Sequence, residues 1–153
     1  MALTFGFNSI RDLLAKLERD AKILEEKEVT GDAFFNFVIT GYSMIDWVKK
    51  DPSVPASAKA ASVVQGLYAD QWLKVCGDLA TAAKHFTLTQ RVPITDSAKT
   101  ESGFGVGRYG MGGYGVGEES IEIELNDGNK FDGLDLVRGV LATWNDFFQT
   151  HRI

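Results

Sequence analysis

Hydrophobic residues recur three or four positions apart through the first half of the chain, which is the spacing of one face of a helix. In the first stretch, beginning after Asn8 or Ser9, charged residues take the opposite side, so the pattern predicts an amphipathic helix. The second stretch follows Thr30 and is apolar around nearly its whole circumference, which predicts a central helix. Lys49 and Lys50 suit the negative end of its dipole, and the prolines that follow cannot continue it.

Residues 57–84 are again helical in pattern, with a break around residues 66–70 where Asp70 can start a new helix. The second of these two helices carries a stripe of small and apolar side chains that favours close packing: Trp72, Cys76, Leu79, Ala80 and Ala83. The sequence therefore predicts a four-helix bundle over residues 8–86.

Beyond His85 the period changes from helical to alternating. Residues 86–89 alternate, and residues 121–125 alternate strictly before a turn at 126–129. Asp132 can then cap a last amphipathic helix whose bulky apolar face must dock on the bundle. The predicted fold class is mainly α (α+β), with a small antiparallel sheet, and residues 119–153 form the hairpin and C-terminal helix.

Length, charge and cysteine content narrow the class of protein. The 153 residues fit one domain, 1–153, and the net charge of −5 opposes sequence-independent binding to nucleic acid or anionic lipid. The single cysteine suits a reducing compartment, and no apolar run reaches the length of a membrane span. We therefore expect a cytoplasmic protein that contacts no membrane.

A glycine-rich segment, residues 103–117, has eight glycines and twice matches the G-x-G-x-x-G pattern of dinucleotide-binding loops. Neither copy precedes a helix whose N-terminus would hold a phosphate, so a surface loop is the favoured interpretation. The alternative is a phosphate cradle in which Arg108 and Tyr109 contact the ligand. The two histidines, His85 and His151, are not in a zinc-binding motif, and we predict neither a metal nor a cofactor.

Candidate chemistry concentrates where the fourth predicted helix ends, at Lys84 and His85. Asp46 lies in the otherwise apolar central helix, and a carboxylate buried there needs a partner. We predict that Lys84 or His85 is that partner. A paired His85 would have its pKa raised into the range useful for acid–base catalysis, although a purely structural ion pair explains the same residues.

Residues 8–90 resemble uncharacterised bacterial and prophage proteins related to the HEPN (higher eukaryote and prokaryote nucleotide-binding) helical domains. The resemblance is carried by the run 34–47, which begins with FFNF and ends with DW, and by CGDLATAAKHF at 76–86. The resemblance implies a helical bundle that often dimerises and, in active members, a metal-independent ribonuclease. The ribonuclease signature has an arginine a few residues before its histidine, whereas the corresponding positions before His85 hold Asp78, Leu79 and Ala80.

Two main hypotheses about function follow. The first is a binding module that self-associates or binds another protein, in the setting of a phage or a toxin–antitoxin system, as the resemblance implies. The alternative is a ribonuclease or nucleotide-processing enzyme that acts on RNA or a nucleotide. In it His85 is the general acid or base, Asp46 orients the imidazole, and Lys84 and Arg91 contact phosphate. A third hypothesis, a binder of phosphate ligands, uses the glycine-rich segment.

Overall fold

The protein is described by a computed structural model that covers residues 3–27, 29–103 and 118–153. Its helices are α1 Ile10–Glu26, α2 Gly31–Lys50, α3 Ala61–Ala69, α4 Gln71–His85 and α5 Gly133–His151, with a 3₁₀ turn at Ala56–Lys59. The strands are β1 Thr95–Gly103, β2 Glu118–Leu125 and β3 Lys130–Asp132. The predicted fold class, mainly α with a small antiparallel sheet and a C-terminal helix packed on the bundle, is confirmed.

Helix starts follow the predicted caps. The Thr30 hydroxyl accepts a hydrogen bond from the backbone of Ala33, and the Asp70 carboxylate does the same for Leu73. Asp132 likewise accepts from the backbone of Asp135 at the start of α5. Each cap satisfies one of the N–H groups that a helix leaves unpaired at its first turn. The predicted break between α3 and α4 is therefore confirmed, and Asp70 caps the start of α4 there.

Gly41 is the point at which four helices of the bundle meet. Its missing side chain lets α4 and α5 come close: a Cβ there would lie 3.2 Å from the Cys76 sulfur and 3.1 Å from a Val140 methyl. Leu17 of α1 lies on the same spot at 3.5 Å. The indole of the fully buried Trp144 donates a hydrogen bond of 3.0 Å to the Gly41 carbonyl. The central position predicted for α2 follows from these contacts.

The sheet is antiparallel in the order β1-β2-β3, and its buried face holds Ile121, Ile123 and Leu125. The β2–β3 hairpin was predicted correctly. The strand predicted at residues 86–89 is wrong, because Phe86 has φ of 66°, which is outside the extended region. β1 was not predicted, since most of its side chains up to residue 100 are exposed and leave no alternating apolar pattern.

None of the helices in the described ranges is long and apolar enough to cross a membrane.

Candidate functional site

The C-terminal end of α4 presents Lys84, His85 and Phe86 at the surface, and all three are exposed. Both cationic or titratable groups lie in the last turn, where the helix dipole favours positive charge. Phe86 ends the helix: its N–H still donates to the Ala82 carbonyl, 2.7 Å away, while its backbone turns into the left-handed half of the φ range. Lys84 and His85, which are neighbours in sequence, therefore both lie on the surface at the end of α4.

Asp46 lies near the C-terminal end of α2 and forms an ion pair with Lys49 of the same helix. Its carboxylate is 2.7 Å from the ammonium of Lys49, one helical turn further along α2, and its side chain is 62% exposed. The Lys49 ammonium also donates to the Tyr68 hydroxyl at 2.8 Å. Hydrogen bonds from this ammonium to Asp46 and to Tyr68 raise the pKa of Lys49 above its ordinary value.

The predicted pairing of Asp46 with Lys84 or His85 is wrong, because α4 runs antiparallel to α2. Tyr68, just before α4, contacts Lys49 near the end of α2, whereas Cys76 packs against Gly41 and donates to the Val38 carbonyl. The chain therefore moves away from Asp46 as α4 proceeds, and nine further residues of helix carry His85 about 14 Å beyond Cys76. The ribonuclease hypothesis loses the group assigned to orient His85.

The strongest polar cluster in the described part of the chain centres on Asp78, which is 2% exposed. One carboxylate oxygen accepts from Nε of Arg91 at 2.5 Å. The other accepts from the backbone of Ile94 and Thr95, each at 3.0 Å, and from the Thr95 hydroxyl at 2.9 Å. Four donors on one buried carboxylate offset the cost of removing its charge from water.

Arg91 closes this cluster from outside. Nη1 donates to the Tyr42 hydroxyl and Nη2 to the Lys74 carbonyl, both at 2.9 Å, and the guanidinium lies 5.3 Å from the centre of the Tyr42 ring. Burial by itself lowers the pKa of Arg91, but the bond to Asp78 and the proximity of Tyr42 outweigh it and raise that pKa. All three guanidinium nitrogens donate within the protein, which disfavours the predicted phosphate contact by Arg91.

The Asp78 cluster was missed from the sequence. Asp78 lies two residues after Cys76 within a helix, and Arg91 lies in an irregular segment thirteen residues later. No periodic pattern links such positions. Of the other predicted phosphate contacts, Lys84 is exposed at the end of α4, and Arg108 and Tyr109 lie outside the described residues.

The segment between α4 and β1 carries two apolar side chains that the fold leaves in water. Phe86 is 91% exposed and Val92 is 95% exposed. The segment is nonetheless held at both ends, by α4 on one side and by the bonds from Arg91, Ile94 and Thr95 to Asp78 on the other. We call residues 86–92 the anchored loop.

The next features are the possible metal ligands in the described ranges and the thiol of Cys76. Within them no three His, Cys, Asp or Glu residues are grouped closely enough to hold a metal ion. Cys76 is fully buried with its thiol 3.3 Å from the Val38 carbonyl, and burial raises the pKa of that thiol well above its ordinary value. A reactive thiol needs an exposed, electropositive setting, so this environment does not favour a nucleophilic Cys76.

Comparisons with family models, with curated proteins and with solved structures found no match to this chain.

Proposed function

We propose that this chain is a non-catalytic interaction module of HEPN-like helical architecture that self-associates through the anchored loop. One observation carries the proposal: Phe86 and Val92 are almost fully exposed on a segment whose ends are fixed by the Asp78–Arg91 ion pair and by backbone hydrogen bonds. Exposed apolar side chains are common singly, and two of them on one segment with fixed ends lose little conformational entropy when a partner covers them.

Two further points support a second copy as the partner. Dimers are frequent among the domains that the first half of the chain resembles. The loop also lies at the end of the bundle helix α4, so two copies can bring these loops together about a twofold axis without disturbing either core.

Sedimentation velocity over a range of protein concentrations tests the proposal. The wild-type chain is expected to move from monomer to dimer as concentration rises, and the double variant Phe86→Ser/Val92→Ser is expected to stay monomeric. Phe5→Ser is the matched control, because Phe5 is 96% exposed but lies in the N-terminal segment. A wild type that remains monomeric up to about 1 mM, or a Phe5→Ser variant that loses association equally, would refute self-association through this loop.

A separate experiment tests the ribonuclease hypothesis. An RNA-cleavage assay comparing wild type with His85→Ala is expected to show equal residual activity, because the group assigned to orient the imidazole is paired with Lys49 instead. A loss of cleavage in His85→Ala alone would restore the enzyme hypothesis.

A further inference from the structure

The outer face of α2 carries six side chains in a line along the helix. Their spacings alternate between four and three residues, which keeps them on one side of a helix. Four of the six are exposed and the two central ones are half-buried: Asp32, Asn36, Ile39, Ser43, Asp46 and Lys50. The other helices of the bundle pack on the opposite side of α2, where Gly41 meets them. We call these six residues the outer stripe.

The outer stripe is complementary to a reversed copy of itself. Its members fall into three pairs, and the two residues of each pair are equally far from position 41: Asp32 with Lys50, Asn36 with Asp46, and Ile39 with Ser43. A second α2 that runs antiparallel about a twofold axis at this level places the two members of each pair opposite each other. A carboxylate then faces an ammonium, an amide faces a carboxylate, and a branched apolar side chain faces a small one.

The polar groups needed for these pairs are available. Within the described residues, the side chains of Asp32, Asn36 and Lys50 form no hydrogen bond or ion pair. Asp32 and Lys50 of one copy are about 27 Å apart along the helix, so they cannot pair with each other. Asp46 binds Lys49 through Oδ1, and a carboxylate can accept further hydrogen bonds through its second oxygen. A second copy thus offers each group a partner of the matching kind.

The anchored loop lies along the same part of α2. Arg91, near the end of the loop, donates to the hydroxyl of Tyr42, which is one residue from the level of the twofold axis. The exposed Val92 follows directly, so the loops of two antiparallel copies reach the axis from the same side of the paired helices. Apolar side chains of the loop, with Phe35 of α2 at 48% exposed, supply apolar area beside the polar pairs of the outer stripe.

We infer that the dimer pairs α2 of one copy antiparallel with α2 of the second copy, in the register that sets Asp32 opposite Lys50. This inference rests on the proposed self-association and adds the geometry of the same interface. Ser43 lets the helices approach closely at the centre, opposite Ile39 of the second copy. Exposed polar pairs add little affinity each, but another register leaves them unmatched, so they select one arrangement.

Charge reversal followed by sedimentation velocity tests this register. Asp32→Lys and Lys50→Asp each place like charges opposite each other at both ends of the interface, so each variant alone is expected to dimerise about tenfold more weakly than wild type. An equimolar mixture of the two variants restores both pairs of opposite charge and is expected to form a heterodimer with nearly wild-type affinity. The double variant Asp32→Lys/Lys50→Asp restores them within one chain and should dimerise equally well. Circular dichroism establishes that each variant folds.

The matched controls change charge by the same amount on the other side of the bundle. Asp146→Lys and Arg152→Asp alter exposed positions in α5 and just after it, and neither variant nor their mixture should differ from wild type. A wild type that dimerises while Asp32→Lys dimerises equally, or a mixture that regains no affinity, would show that the register is wrong and leave self-association intact. A wild type that stays monomeric overturns self-association itself, and the register with it.

Discussion

Asp46 and Asp78 are carboxylates on adjacent helices of the bundle, and the fold treats them in opposite ways. Asp46 comes from the more apolar helix and is largely exposed, with a lysine of its own helix as partner. Asp78 comes from a helix with a more mixed pattern, yet it is sealed from water and joins α4 to a segment thirteen or more residues away. An apolar sequence neighbourhood is therefore a poor guide to burial of a single side chain, because a helix sends adjacent residues in directions about 100° apart.

The two carboxylates also differ in what they hold together. The Asp46–Lys49 pair spans one turn of a helix that other contacts already fix, and exposed pairs of this kind add little stability. Asp78 fixes the path of the chain as it leaves the bundle and enters the sheet. The Asp46–Lys49 pair is a local electrostatic contact within one helix, whereas Asp78 connects two parts of the tertiary structure.

Removal of the Asp78 carboxylate is expected to have the largest effect. Asp78→Ala leaves the Arg91 guanidinium, two backbone N–H groups and the Thr95 hydroxyl without their acceptor, and should lower the free energy of unfolding by about 3–5 kcal/mol. Urea denaturation followed by circular dichroism measures this change. A loss below about 1 kcal/mol would mean that Asp78 is no more structural than Asp46.

A side chain added beside the Asp78 cluster should lower the free energy of unfolding less than removal of the Asp78 carboxylate. A Cβ on Gly77 would lie 2.5 Å from the Tyr42 ring and 2.7 Å from Nη2 of Arg91, which is already bonded, so Gly77→Ala should destabilise the chain by about 2 kcal/mol. Gly66→Ala is the matched control in α3, where nothing lies within 4 Å, and it should stabilise the chain by about 0.5–1 kcal/mol. Thermal and urea unfolding of both variants should give opposite signs, and equal signs would contradict the described packing.

Asp51 offers an intermediate case, a buried carboxylate at a helix end. Burial acts to raise the pKa of Asp51, but the hydrogen bonds that its carboxylate accepts from Ser53 and from the backbone of Ile10 outweigh burial and hold the pKa below its ordinary value of 3.8. The stability that Asp51 confers is therefore complete above about pH 4 and is lost as pH falls through the native pKa. Asp51→Asn should therefore lower the free energy of unfolding by about 1–2 kcal/mol at pH 7. Urea unfolding at several pH values should show this difference shrinking below about pH 4. A difference that grows under acid conditions would contradict the sign.

The smallest effect is expected at Asp46. Asp46→Asn removes an ion pair with an exposed carboxylate and should change the free energy of unfolding by no more than about 0.5 kcal/mol in urea denaturation. Raising the salt concentration in the wild type should have a comparably small effect on this pair. A loss of 2 kcal/mol or more would show that Asp46 has a structural role like that of Asp78.

Much of the fold was predictable because its signals are local. Thr30, Asp70 and Asp132 start helices by bonding to backbone groups three residues away, so their effect is readable from the chain itself. The β2–β3 turn at 126–129 is equally local. β1 gave no such signal, because the outer strand owes its conformation to its backbone pairing with β2.

Candidate chemistry was less predictable, and Asp46 and His85 show why. Each was singled out correctly as a polar residue in a helical setting, but whether they meet depends on the relative direction of α2 and α4. The Asp78–Arg91 pair depends in the same way on which elements become neighbours.

By itself the sequence determined the helical periods, the caps that begin the helices and the hairpin turn, since these rest on interactions within a few residues. Only the tertiary structure decided which carboxylate is buried, where Arg91 directs its donors, and that Phe86 and Val92 remain in water. The physical reason is that burial and pairing are properties of packed elements, and the antiparallel course of α2 and α4 is set by contacts such as those at Gly41 between residues far apart in the chain.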